Sequence, residues 1–120
     1  MKANFVVIGA CCAAWGVGLG AFGAHGLRGV VSEAQLGLWE TATRYWLVGA
    51  LGLLMFGVFR DRRTVSAMPG WSLFIGSVLF SGSLYALALG APHGWGAVTP
   101  FGGLGLIFGF ASFAWVARKR

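Results

Sequence analysis

Charged residues are scarce in this chain, and acidic residues are scarcer still. Lys, Arg, Asp and Glu together make up 10% of the 120 residues, only 3 residues are acidic, and 58% are hydrophobic. A soluble domain of this size exposes a large share of its area and needs a polar exterior. The composition therefore excludes a soluble globular domain and predicts a protein surrounded by lipid.

The basic excess does not indicate a nucleic-acid partner. The net charge is +6, but the basic residues form short clusters beside apolar segments, where anionic lipid headgroups attract them. This distribution predicts membrane lipids, and no nucleic acid, as partners.

Cysteine and metal-binding patterns are almost absent as well. The only cysteines, Cys11 and Cys12, are adjacent and point in different directions on one helix. No second pair completes a disulfide framework or a zinc site. The sequence also lacks metal-ligand spacing, a phosphate-binding loop, an acidic pair and a nucleophile aligned with a base. It thus predicts no catalytic residue, no metal and no cofactor, and we expect no enzymatic activity.

Four long apolar segments fill most of the chain instead. A helix needs roughly twenty apolar residues to cross a hydrocarbon core about 30 Å thick, and helices satisfy every backbone group internally. The sequence predicts an all-α fold, an integral membrane four-helix bundle that forms one domain over 1–120. Its helices are expected at about 4–27, 35–59, 71–89 and 99–116.

Local signals refine the helix ends. Ser32 and Gln35 have the spacing of a capping box, which moves the start of the second helix toward Glu33. Pro69 and Gly70 are expected to lead into the third helix.

The basic residues predict the orientation in the membrane. One side of the bundle carries seven of them: Lys2, Arg60, Arg62, Arg63, Arg118, Lys119 and Arg120. The other side keeps only Arg28 and Arg44, offset by Glu33 and Glu40. The positive-inside rule then places the N- and C-termini on the cytoplasmic side. Five tryptophans near the predicted span ends are expected at the membrane interface. They are Trp39, Trp46, Trp71, Trp95 and Trp115.

Small residues recur at helical spacing on the first and fourth helices. On the first helix they are Gly9, Ala13, Gly16, Gly20 and Gly23. On the fourth helix they are Gly102, Gly105, Gly109 and Ser112. Such faces let helix backbones approach closely, so both stripes are predicted to pack against a helix. The sequence leaves open whether that helix belongs to the same chain or to another protomer.

The predicted topology gathers polar residues in the non-cytoplasmic half. A hypothetical ligand-binding cluster consists of His25, Glu40, Arg44, Ser81 and Tyr85. Glu40 and Arg44 have the spacing of a helical ion pair, although Arg44 could instead meet an anionic group. His25 is expected to form hydrogen bonds near the interface, with proton or metal chemistry as the alternative. Ser81 is expected to bond to a carbonyl one turn back on its own helix or across to a neighbouring helix.

Four motifs in order resemble a known family. They are Gly-Ala-Phe-Gly-Ala-His-Gly-Leu at 20–27, Thr-Ala-Thr-Arg-Tyr at 41–45, Phe-Ser-Gly-Ser-Leu-Tyr at 80–85, and Thr-Pro-Phe-Gly-Gly at 99–103. The chain is similar to the YwdK/YgdD-type family of small four-span membrane proteins, a domain of unknown function that includes the transmembrane protein 256 relatives. The resemblance implies an inner-membrane location and four helices, and supplies no reaction. Gly49 stands where relatives usually carry a histidine, so a two-histidine site with His25 is in doubt here.

These features favour a non-enzymatic accessory or scaffold component of the bacterial cytoplasmic (inner) membrane. Such a protein would pack with itself as a homo-oligomer or within a larger membrane complex. The alternative is binding or transport of a small molecule, lipid or ion through a polar pocket in the outer half of the bundle. Four helices provide no second inverted half, so an alternating-access transporter would need oligomerisation.

Overall fold

Four long helices form the protein in a computed structural model, which describes residues 4–118. They are α1 (Phe5–His25), α2 (Glu33–Arg60), α3 (Met68–Ala88) and α4 (Thr99–Ala117). A short 3₁₀ helix, His93–Ala97, precedes α4, and residues 4–118 contain no β-strand. Each long helix is long and apolar enough to cross a membrane. The predicted all-α fold with four spanning helices is confirmed.

Side chains cap the first two helices at their N-termini. The Asn4 side chain accepts a hydrogen bond from the Val7 backbone amide at 3.2 Å. Ser32 Oγ accepts from the Gln35 amide at 3.1 Å, and Gln35 Oε1 accepts from the Ser32 amide at 3.0 Å. This capping box is the predicted one, and it starts α2 at Glu33 because both partners occupy otherwise unpaired amides.

The third helix begins at Met68, earlier than the predicted residue 71. Pro69 lies in the first turn, where its missing N–H has no helical partner to lose. Gly70 follows against the ring of Phe5, whose Cζ would lie 2.6 Å from an added Cβ. The expectation that Pro69 and Gly70 precede the helix is therefore wrong.

Each helix packs on the next one in the chain. Thus α1 lies on α2, α2 on α3, and α3 on α4, while α2 and α3 occupy the centre. One end of the bundle, here called the Arg60 end, contains the aromatic contacts of Phe5 and Phe113 with Phe56. The opposite end, called the Leu27 end, contains the buried cluster of Leu27, Trp39 and Ala88. The described chain thus starts and finishes at the Arg60 end, and its cytoplasmic orientation remains a prediction from charge.

The glycine stripe of α1 packs on α2 of the same chain. A Cβ added at Gly9 would lie 2.6 Å from the Leu54 backbone nitrogen, and one at Gly16 would lie 2.7 Å from Leu47 Cδ2. A Cβ at Gly23 would overlap Trp39. Gly20 has more room, because its Cβ would meet Thr43 Cγ2 at 3.4 Å.

The glycine stripe of α4 packs on α3 in the same way. A Cβ at Gly102 would overlap the Phe80 backbone, and one at Gly105 would lie 3.0 Å from the Gly76 Cα. A Cβ at Gly109 would lie 2.8 Å from Leu73 Cγ. Both stripes therefore serve close packing within one chain, which answers the question that the sequence leaves open.

Candidate functional site

Trp39 joins the first two helices toward the Leu27 end. Its indole N–H donates to the Leu19 carbonyl at 2.9 Å. In an α-helix this carbonyl also accepts from the amide four residues later, which is that of Gly23. Because Gly23 has no side chain, the indole reaches the second lone pair of the carbonyl.

Trp46 repeats this arrangement two helical turns away. Its indole N–H donates to the Cys12 carbonyl at 2.8 Å, beside Gly16. The interface position predicted for Trp46 is wrong, because α2 extends over 28 residues and Trp46 lies at its middle. The indole N–H is satisfied inside the bundle rather than by headgroups.

Tyr85 and Thr43 form the polar contact between α2 and α3. The two hydroxyl oxygens are 2.6 Å apart, and Thr43 Oγ1 donates to the Trp39 carbonyl at 3.0 Å. The Thr43 proton is committed to that carbonyl, so Tyr85 is the donor between the two hydroxyls. The Tyr85 ring also packs edge-on against Trp39, with centroids 4.4 Å apart.

Ser81 is fully buried at the same interface. Its hydroxyl donates to the Ala42 carbonyl on α2 at 2.7 Å. Ser81 and Tyr85 thus lie together on α3 and both bond to α2. Their hydroxyls are used for helix packing, one of the two roles that the sequence predicts for Ser81.

The other three members of the predicted cluster lie elsewhere. His25 is exposed at the last turn of α1, and Glu40 and Arg44 are exposed on α2. Glu40 and Arg44 form no ion pair with each other. The structure therefore does not bring the five side chains into one pocket, and ligand contact by them remains a prediction. Within residues 4–118, no three His, Cys, Asp or Glu side chains are grouped to hold a metal ion.

Glu40 and Arg44 belong to a continuous surface that we call the exposed α2 stripe. Its members share an arc of about 80° at 100° per residue, and each is exposed. They are Glu40, Arg44, Val48, Leu51, Met55 and Val58. Most of the other α2 residues contact the neighbouring helices, although Tyr45 is also exposed. This stripe is the only exposed face within the four helical spans that carries Asp, Glu, Lys or Arg away from its ends.

Arg44 lies deep in the span. Leu47 packs on Gly16, which is near the middle of α1, and Arg44 is three residues away. A rise of 1.5 Å per residue places the Arg44 Cα only about 4.5 Å from that middle level. An arginine near the centre of a spanning helix costs roughly 2.5–3.5 kcal/mol on insertion scales. A partner for this cation is therefore expected.

Two apolar grooves run along the outside of the bundle. The first, of about 320 Å³, crosses α2 between α1 and α3. Its lining residues are Trp15, Leu19, Trp39, Trp46, Val78, Gly82, Tyr85 and Leu89. The second, of about 560 Å³, lies between α2 and α4 over α3. The shape and apolar lining of both suit a hydrocarbon chain.

Sequence reasoning missed Thr43, Trp39 and Trp46 as hydrogen-bonding residues of the interior. The spacing of residues in the sequence does indicate the interior position of the two tryptophans. Trp39 and Trp46 are seven residues apart, as are Gly16 and Gly23 on the preceding helix. Two bulky donors and two glycines at equal spacing are typical of antiparallel helices that interlock.

Known proteins match the chain over most of its length. Residues 19–103 match the family model described as "Protein of unknown function (DUF423)". The UPF0382 membrane protein SH2409 of Staphylococcus haemolyticus is 46% identical over 107 residues, which cover 88% of each chain. The UPF0382 membrane protein YwdK of Bacillus subtilis is 40% identical over 118 residues, which cover 96% of each chain. No solved structure matches.

The matched region contains all four motifs that resemble the YwdK/YgdD-type family, and the relatives carry the description of membrane proteins. Four helices able to span a membrane agree with that description. The chain therefore belongs to the DUF423 family of membrane proteins of unknown function.

Proposed function

We propose that this protein is a multi-pass component of the bacterial cytoplasmic membrane that acts by associating with membrane protein chains, its own copies included. In this role it is an accessory or scaffold subunit and not an enzyme. The observation that carries the proposal is the position of its polar groups: interior hydroxyls and indoles bond to neighbouring helices, while the ionic groups of the span face outward.

The interior groups are committed to holding the bundle together. Each pair of consecutive helices is joined by side-chain hydrogen bonds. Trp39 and Trp46 join α1 to α2, and Ser81 and Tyr85 join α2 to α3. Ser72 donates to the Gly105 carbonyl at 2.8 Å and joins α3 to α4. An interior used in this way supports a structural role better than a reactive one.

The exterior is where recognition is possible. Ionic side chains within a membrane span almost always pair with another group, and they mark functional positions. Glu40 and Arg44 are exposed and are not paired with each other, so a neighbouring molecule is the natural source of partners. The bacterial relatives and the arginine-rich end support a location in the cytoplasmic membrane.

The mass of the protein in a native-like bilayer tests this proposal. We expect dimers or larger assemblies when the full chain is extracted directly into lipid nanodiscs and its mass is measured. Photobleaching of labelled single particles in vesicles, at falling protein-to-lipid ratios, checks that the assemblies are specific. A single copy per particle under every condition, with no second protein attached, would overturn the proposal.

Lipid binding is the second candidate function, and the groove between α1 and α3 favours it. A Cβ at Gly82 meets no heavy atom within 4 Å, so Gly82→Leu would partly fill this groove without disturbing the fold. We expect that substitution to reduce the lipid retained by the purified protein in native mass spectra. Gly18→Leu is the matched control, because Gly18 is equally open but does not line the groove. Equal lipid retention by both variants would refute the candidate.

A further inference from the structure

The exposed α2 stripe differs from the outward faces of the other three helices. The outward residues of α1, α3 and α4 are apolar along their spans, and lipid tails satisfy such surfaces fully. Within residues 4–118, Glu40 and Arg44 are the only Asp, Glu, Lys or Arg residues that lie between the ends of a helix. Lipid tails therefore suit the outward faces of the other three helices but do not satisfy the charges of Glu40 and Arg44 on the exposed α2 stripe.

The position of Arg44 along α2 does not by itself bring its guanidinium group to the lipid headgroups. It lies on the centre line of the stripe and close to the middle level of the bundle, where Leu47 packs on Gly16. An extended arginine can reach toward the headgroups, but Trp39 and Glu40 still lie between Arg44 and the Leu27 end. The guanidinium group therefore needs an anionic partner at membrane depth.

We infer that a second copy of this chain covers the exposed α2 stripe, with Glu40 of each copy paired to Arg44 of the other. The inference rests on the proposed function and names both its partner and its surface. The stripe holds one cation and one anion a helical turn apart, so it is complementary to itself. A two-fold axis along the membrane normal then creates two equivalent pairs, as in any isologous interface.

The geometry suits two copies inserted in the same direction. Equivalent residues then lie at equal depth, and Glu40 of one copy is about 6 Å along the helix from Arg44 of the other. Long side chains bridge that offset easily. Nearer the Arg60 end, Val48, Leu51, Met55 and Val58 meet their counterparts by apolar packing. The glycine stripes cannot provide this contact, because they are already packed within the chain.

An anionic lipid headgroup fits the stripe less well. Its phosphate would bind Arg44 but would be repelled by Glu40, one turn away on the same face. Glu40 itself would remain without a cation. A second copy satisfies both groups at once.

Complementary charge reversal tests the pairing. Glu40→Arg gives a stripe with two cations, and Arg44→Glu gives one with two anions, so each variant should associate with itself at least about tenfold more weakly than the wild type. When the two variants are mixed, both cross-pairs become Arg with Glu. Association should return to within about threefold of the wild-type level. Energy transfer between labelled copies in vesicles of zwitterionic lipid measures each case.

The controls separate the possible failures. Arg28→Glu carries the same charge change as Arg44→Glu but lies outside the stripe, and it should associate like the wild type. Helicity by circular dichroism checks the fold of each variant, and Glu40→Gln with Arg44→Gln provides a milder pair. The milder variants should each weaken association.

Several results would overturn the inference. Wild-type association by both charge-reversed variants would reject this surface but leave the proposed function intact. Weak association that mixing does not restore would reject the Glu40–Arg44 pairing. Binding of anionic lipid that is lost in Arg44→Glu and strengthened in Glu40→Arg would assign the stripe to lipid. A strictly monomeric wild type would defeat both the inference and the proposed function.

Discussion

Replacing Gly16 with alanine tests how closely α1 and α2 must approach. The new Cβ would lie 2.7 Å from both Trp46 Cδ1 and Leu47 Cδ2, which is well inside van der Waals contact. Either the helices separate or Trp46 rotates, and rotation breaks its 2.8 Å hydrogen bond to the Cys12 carbonyl.

The expected cost follows from these two contacts. Overpacking a tight interior typically costs about 1–3 kcal/mol, and a hydrogen bond between membrane helices averages about 0.6 kcal/mol. Alanine has a higher helix propensity than glycine, which offsets about 1 kcal/mol. We therefore expect Gly16→Ala to destabilise the bundle by roughly 0.6–2.6 kcal/mol in total.

Unfolding in mixed micelles with increasing dodecyl sulfate, followed by circular dichroism, measures this change. Gly18→Ala is the matched control, because it adds the same methyl group two residues away where no heavy atom lies within 4 Å. It should be neutral or slightly stabilising. If Gly16→Ala unfolds together with Gly18→Ala, the close contact of Gly16 with Trp46 is not important for stability and our reasoning is refuted.

Three further predictions concern the other helix contacts. Thr43→Val removes the hydroxyl between Tyr85 and the Trp39 carbonyl, and should cost about 0.6–1.7 kcal/mol in the same unfolding assay. Once Thr43 is valine, Tyr85→Phe should add no further cost, because both changes remove the same bond between the Thr43 and Tyr85 hydroxyls; full additivity would contradict this bond. Gly49→Ala would overlap Ser77 Oγ and should lower stability by about 1–3 kcal/mol, part of which Ser77→Gly should restore. Ser32→Ala removes the capping box of α2 and should cost about 1 kcal/mol, visible as faster amide exchange at residues 33–36.

Gly49 also bears on the two-histidine site that the family resemblance brings into question. A side chain there would overlap Ser77 Oγ on α3, and Leu106 Cδ2 would lie 3.5 Å from even a Cβ. The sequence of α2 contains no histidine, so His25 has no histidine partner there, and the space beside Gly49 is occupied. Introducing Gly49→His would force α2 and α3 apart.

Much of the fold could be predicted from the sequence, because the relevant signals are local. Apolar runs of sufficient length define the four spans, and the helical spacing of Gly9, Gly16 and Gly23 places them on one face of α1. The Ser32–Gln35 spacing determines the start of α2. Membership of the family also follows from short motifs.

The candidate site was harder to predict for a physical reason. Charge counting and span length determine how far each residue lies along the membrane normal, and Glu40, Arg44, Ser81 and Tyr85 do all lie toward the Leu27 end. Charge counting and span length do not determine the direction in which a residue points around its helix axis. Only the contacts of α2 with its neighbours turn Ser81 and Tyr85 toward α2 and leave Arg44 facing outward.

The glycines and tryptophans show the same difference between what is set along one helix and what is set by its neighbours. The sequence by itself determined that two faces are small and that four helices are long and apolar enough to cross a membrane, since both depend on the residues along one helix. Only the tertiary structure decided that these faces meet α2 and α3 of the same chain, and that Trp46 bonds inside the bundle instead of at the interface. Those outcomes depend on which helix lies opposite, and that is settled by packing between segments distant in sequence.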